Sequence, residues 1–342
     1  NIDVDGVTNL DVVDIDGAVD MASTLAVTGA ITGTSATLTG DITASSFNGG
    51  QLGGRRNLLI NSGFDIWQRG VSQTSAGYGS VDRFSMSNST SSFTTTRQAF
   101  ATGQTDVPNN PLYYLRCVVS SGGSAGNYMF ISQAIEGVQN GAGQTVTLSF
   151  YAKASSSLKV GVNLQQVFGT NGSSTVSTNG VAKTLSTSWA RYTVTTTLPS
   201  ISSKTIGTAS DNLRLMLWLD SGSTYNTTSG SIGNQSGTFE FSNIQLEVSS
   251  VATLHERLSL GETLGLCQRY YEIIDRVYPA IYSGSTTLNN YYYVEKRGLP
   301  VMTADSNPGG HTLNRNGNNS GYIYKSGGNS NAVTTLRIDA EL

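Results

Sequence analysis

Charge is scarce in this sequence. Asp, Glu, Lys and Arg make up 13% of its 342 residues, against roughly 25% in ordinary soluble domains. Its 20 Lys and Arg nowhere form a block, and the net charge is −3, so the basic footprint of a nucleic-acid interface is missing. Two histidines, His255 and His311, leave little material for imidazole chemistry. Cys117 and Cys267 lie far apart and fit no metal-ligand spacing; they read as buried free thiols, with a long-range disulfide as the alternative. No apolar run reaches the roughly 18 residues of a membrane span, and no signal peptide is visible, so no membrane insertion is expected. Helix-forming runs are nearly absent. In their place stand Gly, Ser, Thr and Asn, which suit tight turns and the solvent faces of sheets. The expectation is a soluble, mainly β protein.

Residues 1–50 repeat a short motif of an aliphatic residue, Thr or Asp, Gly, and a second aliphatic residue. It occurs at Val4-Asp5-Gly6, Ile15–Val19, Val27–Thr32 and Leu38–Thr43. Each unit offers a short strand with too thin an apolar edge to bury a core alone, which stacking or winding several chains together would remedy. The preferred reading is a β-stalk shared by three chains, the alternative a flexible β-prone arm. A Gly-rich hinge (Ser45–Arg56, with the boundary drawn at residues 51–56) separates the repeats from a longer domain that begins at Asn57.

From Asn57 to Ser250 a period of two dominates. Val146, Leu148, Phe150 and Ala152 alternate with polar neighbours, as do Val160, Val162 and Leu164, and Leu213, Leu215, Leu217 and Leu219. Such strands bury one face, and the Gly/Ser-rich clusters between them suit loops at the ends of a two-sheet antiparallel jelly roll. NLLINSGFDIWQRG (Asn57–Gly70) reads as the opening strand, a polar corner and an aromatic anchor; FEFSNIQLEV (Phe239–Val248) reads as the closing strand. Residues 251–275 hold the one convincing helix, Glu256–Glu272, with Leu260, Leu264, Cys267 and Tyr271 as its apolar stripe. Residues 276–342 return to short strands, at Tyr278–Tyr282, Tyr291–Val294, Tyr322–Tyr324 and Thr335–Ile338, and read as a small distal β-domain.

These motifs carry a resemblance. NLLINSGFDIWQRG, the VDRF element at Val81–Phe84, ATLHER at Ala252–Arg257 and LCQRYY at Leu266–Tyr271 occur in the order seen in a domain family of bacteriophage tail fibres, especially those of marine and cyanobacterial phages. The chain resembles that family from Asn57 onward. It departs from the family pattern at Phe84, where Trp is usual, and at Lys296-Arg297 and Pro300-Val301 in the terminal element. Its first domain is also similar to jelly-roll carbohydrate-binding modules. The resemblance implies a homotrimeric tail fibre or receptor-binding protein on the virion. It would join other phage tail proteins through its N-terminal part and recognise a host cell-surface polysaccharide. Modules of this shape often hold a structural Ca²⁺ where the first and last strands meet, which points to Asn61, Asp65, Glu240 and Asn243 as oxygen ligands.

Sugars bind to aromatic rings flanked by amides and charges. Strand alternation turns Tyr151, Asn163, Gln165, Arg214 and Trp218 away from the core, and these five form the candidate ligand set. The competing reading makes an outward Trp218 a packing residue. Trp67 and Trp189 are assigned to the core. In the distal domain Tyr291–Tyr293, His311, Arg315, Tyr322 and Tyr324 are rival binding residues, or simply the filling of a small core. No enzyme is expected. There is no G-x-S-x-G elbow, His255 is placed at the start of the helix as a packing or capping residue, and Asp220, Glu240 and Glu247 sit singly rather than as the facing pair that glycoside hydrolysis uses. A depolymerase whose carboxylates come from different subunits is the catalytic alternative, and a purely structural spacer or head-decoration protein the other.

Overall fold

The computed structural model describes residues 54–277, 287–305, 312–325 and 334–342. The repeats at 1–50, the Tyr278–Tyr282 strand and His311 lie outside them. In chain order the elements are β1 (Ser72–Gln73), β2 (Ser85–Ser89), β3 (Ser92–Ala99), β4 (Tyr113–Ser120), β5 (Tyr128–Glu136), β6 (Thr145–Ala154), β7 (Lys159–Val167), β8 (Val176–Ser177), β9 (Val181–Thr184), β10 (Ala190–Thr197), β11 (Asn212–Ser221), a 3₁₀ turn (Ser223–Tyr225), α1 (Asn226–Ser229), β12 (Gly237–Val248), α2 (Leu260–Gln268), β13 (Tyr271–Val277), β14 (Thr287–Tyr292), β15 (Val301–Ala304), β16 (Thr312–Arg315), β17 (Ser320–Lys325) and β18 (Thr334–Asp339).

The first twelve strands make an antiparallel sandwich. Sheet I has the order β1-β3-β4-β12-β6-β10, and sheet II the order β2-β5-β11-β7-β8, with β9 also on β7. The alternating positions meet between the sheets: Leu115, Cys117, Leu148, Phe150, Phe239 and Phe241 from sheet I face Ile131, Val160, Val162, Leu213, Leu215 and Leu217 from sheet II in one continuous core. The jelly-roll-like sandwich read from the period-two pattern is therefore present. Both cysteines are free and buried, and burial pushes the Cys117 thiol up to about 12.

The opening strand expected within Asn57–Gly70 does not form, while the polar corner at Asn61 and the Trp67 anchor do. Asn61 and Phe64 have left-handed backbones, with φ of 56° and 61°, which interrupt a regular ladder. Side chains supply the missing backbone partners instead. Asn61 Nδ2 donates to the carbonyls of Ile66 and Asp82 at 2.8 and 3.0 Å, and its Oδ1 accepts from the Ile66 N–H at 2.9 Å. Gln133 holds both the N–H and the C=O of Ile60, at 2.7 and 2.9 Å. The stretch is thus a folded plug that drives Leu59, Phe64 and Trp67 into the sandwich core.

The helix is half its expected length. Ser259 and Glu262 form a capping box that starts α2 at Leu260, and Tyr271 already belongs to β13. Gly261 and Gly265 weaken helical propensity. The buried side is Thr263 and Cys267, followed by Tyr270, while Leu260 is 61% exposed. Tyr270 and Tyr271 are anchors: Arg83 stacks on the Tyr270 ring at 3.4 Å and Arg69 on the Tyr271 ring at 3.5 Å. Both arginines also pair with Glu341, and Arg69 pairs with Asp339 at 3.1 Å. The arginine of VDRF and the tyrosines of LCQRYY thereby fasten the distal strands to the sandwich.

The distal part is two three-stranded sheets, β13-β18-β15 and β14-β17-β16, around a core of Tyr293, Ile323, Leu336 and Ile338.

Candidate functional site

The five residues of the expected ligand set do not share a surface. Asn163, Gln165, Arg214 and Trp218 stand together on the outer face of sheet II, where Gln165 pairs with Arg214 and Asn163 with Met216 across the β7–β11 ladder. Tyr151 lies on the opposite sheet, paired with Arg191. Trp218 points away from the leucines, as the alternation requires, yet it is covered. The segment after β11 folds back over the face, and Trp218 packs with Met216 and Ile232 against Tyr128, Phe130, Ala182 and Tyr225. Its indole N–H donates to Asn163 Oδ1 at 2.9 Å. A Cβ on Gly161 would sit 2.1 Å from the Ser229 carbonyl, so glycine there is what lets α1 lie so close to β7. Trp218 and Asn163 are thus buried structural partners, and Arg214 and Gln165 beside them are half-buried.

Of the candidate calcium ligands Asn61 and Asp65 line one small pocket, but most of the set is engaged by other partners. Asn61 spends its amide inside the plug, and Asn243 donates to the Pro108 carbonyl at 3.0 Å. Glu240 accepts from Arg116 Nε at 2.6 Å and is ion-paired with Lys153 Nζ at 3.0 Å, so its charge is balanced by two cations. Asp65 keeps an unpartnered, buried Oδ1, and burial pushes its carboxyl above the ordinary value. An amide already spent and a carboxylate held by two cations do not fit a hard divalent ion. Among the described residues no group of three or more His, Cys, Asp or Glu side chains could hold a metal.

His255 precedes α2 instead of starting it. Its Nε2 lies 3.1 Å from Ser62 Oγ, its Nδ1 is buried without a partner, and burial with nearby Arg257 and Arg191 lowers its pKa to about 4. It is a packing residue at the plug. In the distal part Tyr293 is buried and donates to the Ser320 carbonyl at 2.7 Å and the Gly317 carbonyl at 3.0 Å, and Arg315 donates to the Pro300 carbonyl at 2.9 Å. Tyr292 is 80% exposed.

The open face is the outside of sheet I. Because Leu115, Cys117 and Val119 of β4 point inward, Tyr114, Arg116 and Val118 point out. The registers set Arg116 beside Glu240, Glu240 beside Lys153, and, one residue before β10, Trp189 beside Lys153. The result is a cross-strand row, Arg116–Glu240–Lys153–Trp189, with Tyr114 and Tyr151 in the next row. Trp189 is not in the core. It is half-buried, its ring centroid 5.3 Å from Tyr114 and 5.4 Å from Phe100, which in turn is 4.7 Å from Tyr114. Lys153 Nζ sits 5.3 Å from the indole centroid. Beside this cluster a groove of 420 Å³ is lined by Arg116, Val118, Lys153, Thr187, Thr238 and Glu240 among others. Burial pulls the Arg116 guanidinium down, but the hydrogen bond and charge of Glu240 outweigh it and hold the group above its ordinary value. Toward the other end of the sheet the face is closed by residues 249–256, whose Thr253 is held by Glu247 and Gln245.

A mainly β, antiparallel sandwich with one open aromatic and charged face is the class that fold and surface define. The chain matches no protein-family model and no curated protein sequence. Among solved structures it is similar to the enzymatically active domain of tailspike protein 4 of bacteriophage CBA120, with 10% identity over 56% of this chain and 21% of that one and a TM-score of 0.35. The chain therefore spans about a fifth of that domain's length. It is similar also to a family 11 carbohydrate-binding module from Clostridium thermocellum in complex with a β-1,3-1,4-mixed-linked tetrasaccharide, with 12% identity over 54% of this chain and 98% of that one and a TM-score of 0.32. A third likeness is to TmCBM61 in complex with β-1,4-galactotriose, with 11% identity over 57% of this chain, 100% of that one and a TM-score of 0.29. Likenesses this distant carry no function to this chain.

Proposed function

We propose that this chain is a non-catalytic adhesive segment of a phage tail fibre that holds a host cell-surface polysaccharide on the outer face of sheet I. The observation that carries the reading is the Phe100–Tyr114–Trp189 ring cluster beside the Arg116–Glu240–Lys153 row. Rings of this kind stack on the C–H faces of sugars, while side-chain donors beside them take hydroxyl and carbonyl oxygens. The tail-fibre setting is supported by the ordered motifs from Asn57 onward. With it come a homotrimer, attachment to other tail proteins through the N-terminal repeats, and a place on the virion. Three such faces per fibre would raise avidity without tight single-site binding. Glu240 is the one carboxylate lining the groove and both its oxygens are engaged, which favours binding over two-carboxylate hydrolysis.

Trp189→Ala in the full chain tests the reading. It removes the central ring from a surface cluster, so the unfolding midpoint should stay close to that of the parent. Affinity for host polysaccharide should fall about tenfold, the worth of one lost stacking contact of about 1.5 kcal/mol. The variant should also stop competing with phage for adsorption. Unchanged binding by the variant would rule this face out.

A further inference from the structure

Resting on the glycan reading above, we infer that the sheet I groove selects sugars bearing an anionic substituent, a carboxylate or a sulfate. The inference comes from counting which hydrogen-bonding capacity the groove still has. Arg116 spends Nε on Glu240 at 2.6 Å and Nη2 on the Tyr114 hydroxyl at 3.3 Å; its Nη1 has no partner among the described residues. Lys153 is ion-paired with Glu240 at 3.0 Å, and its ammonium also lies 5.3 Å from the centre of the Trp189 ring. Each oxygen of Glu240 faces one of the two cations, and its side chain is only 6% exposed. It orients them and offers a ligand little.

Among the charged groups, what remains open is therefore cationic and donor-only, and the acceptors beside them are the weaker, neutral hydroxyls of Thr187 and Thr238. A neutral sugar hydroxyl needs donors and acceptors in comparable number, because it both gives and takes. A carboxylate or sulfate needs only donors, and charge-assisted bonds to Arg and Lys are the strong kind. The charges lining the groove sum to about +1 (Arg116 and Lys153 against Glu240) in a chain whose net charge is −3. Val118, 44% exposed at the groove wall, gives the sugar ring an apolar floor, with Thr187 and Thr238 alongside to meet hydroxyls.

The test is calorimetric titration of the full chain with three probes: an oligogalacturonate, the same oligomer with its carboxyl groups reduced, and a sulfated galactan oligosaccharide. Each is titrated at low and at moderate salt. One or both anionic probes should bind about tenfold tighter than the neutral oligomer, the worth of a single charge-assisted contact at a partly exposed site. The gap should narrow as salt rises. Lys153→Gln should close the gap and Lys153→Arg should keep it. The carboxylate and sulfate arms separate the two sources of the charge. Equal or tighter binding of the neutral oligomer, still lost in Trp189→Ala, would overturn the inference and leave the glycan reading standing. Failure of all three probes to bind would overturn both.

Discussion

His255 is a buried base at the joint between the plug and the segment C-terminal to β12, and acid should loosen that joint. The folded protein holds its imidazole near a pKa of about 4, through burial first and the positive charges of Arg257 and Arg191 second, against an ordinary value of 6.5. The unfolded chain therefore takes up a proton that the folded chain refuses. The stability involved is fully present above pH 6.5 and is lost as pH falls toward the folded value. The gap between the two values is worth about 3 kcal/mol in all, with somewhat under half of it gone at about pH 5.5 and most of it at about pH 4.5. Asp65 in the same pocket acts in the opposite sense, since burial raises its carboxyl and protonation there favours the folded state, with the effect concentrated at the acid end. The assay is urea unfolding by tryptophan fluorescence across this pH range, for the parent and for His255→Gln, whose amide nitrogen can still meet Ser62 Oγ. The parent should lose stability more steeply than the variant by these amounts. The chain has two histidines, so proton NMR should show at most one imidazole titrating near its ordinary value. Identical pH slopes, or two ordinary titrations, would refute the reasoning.

Two further perturbations probe the architecture. Arg83 is fully buried, donates to the Ala134 carbonyl at 2.6 Å, pairs with Glu341 and stacks on Tyr270; Arg83→Met should cost about 3–5 kcal/mol in denaturant unfolding. Glu341→Gln should cost clearly less, because burial already pushes that carboxyl above its ordinary value despite two guanidiniums. Equal costs would mean that the pair contributes through its charge alone. Gly161→Ala brings a methyl to 2.1 Å from the Ser229 carbonyl and should lift α1 off Trp218 at a cost of about 1–3 kcal/mol. A red-shifted indole emission should report the exposed ring, and an unshifted spectrum with unchanged stability would contradict the close packing.

The parts of the fold that are legible in the sequence are those where one physical rule acts alone. Val146–Ala152, Val160–Leu164 and Leu213–Leu219 alternate because each strand faces a core on one side, and all of them land there. Alternation tells which way a side chain leaves its sheet but not what waits on that side. Trp218 leaves sheet II in the expected direction and meets Tyr225 and Ile232, brought back over it by a turn whose close packing depends on Gly161, Gly180, Gly222 and Gly230. Trp189 is outside the core, contrary to its assignment from sequence, because the alternation of Val194, Tyr192 and Ala190, carried back one residue beyond the strand, turns it outward with Arg191. The row Tyr114–Arg116–Val118 is readable from the inward partners Leu115, Cys117 and Val119. Its meeting with Glu240 and Lys153 is not, since it depends on β12 inserting between strands far from it in sequence. Leu58–Ile60 reads as the opening strand because its apolar residues are contiguous; the polar corner after it is legible, but the left-handed turn at Phe64 carries no hydrophobic signature.

The position of β12 has a consequence for synthesis. It lies between β4 and β6 in the middle of sheet I, and β18 lies likewise between β13 and β15. In each case the strand that completes the sheet is the last of its set to leave the ribosome. Until β12 emerges, β4 and β6 each present an unpaired edge with an apolar inner face, the arrangement most prone to pairing with another chain. Translation that stalls between Ser221 and Gly237 would thus leave an aggregation-prone sandwich lacking the central strand of sheet I, and the nascent chain would depend on steady elongation, or on a chaperone, through that interval.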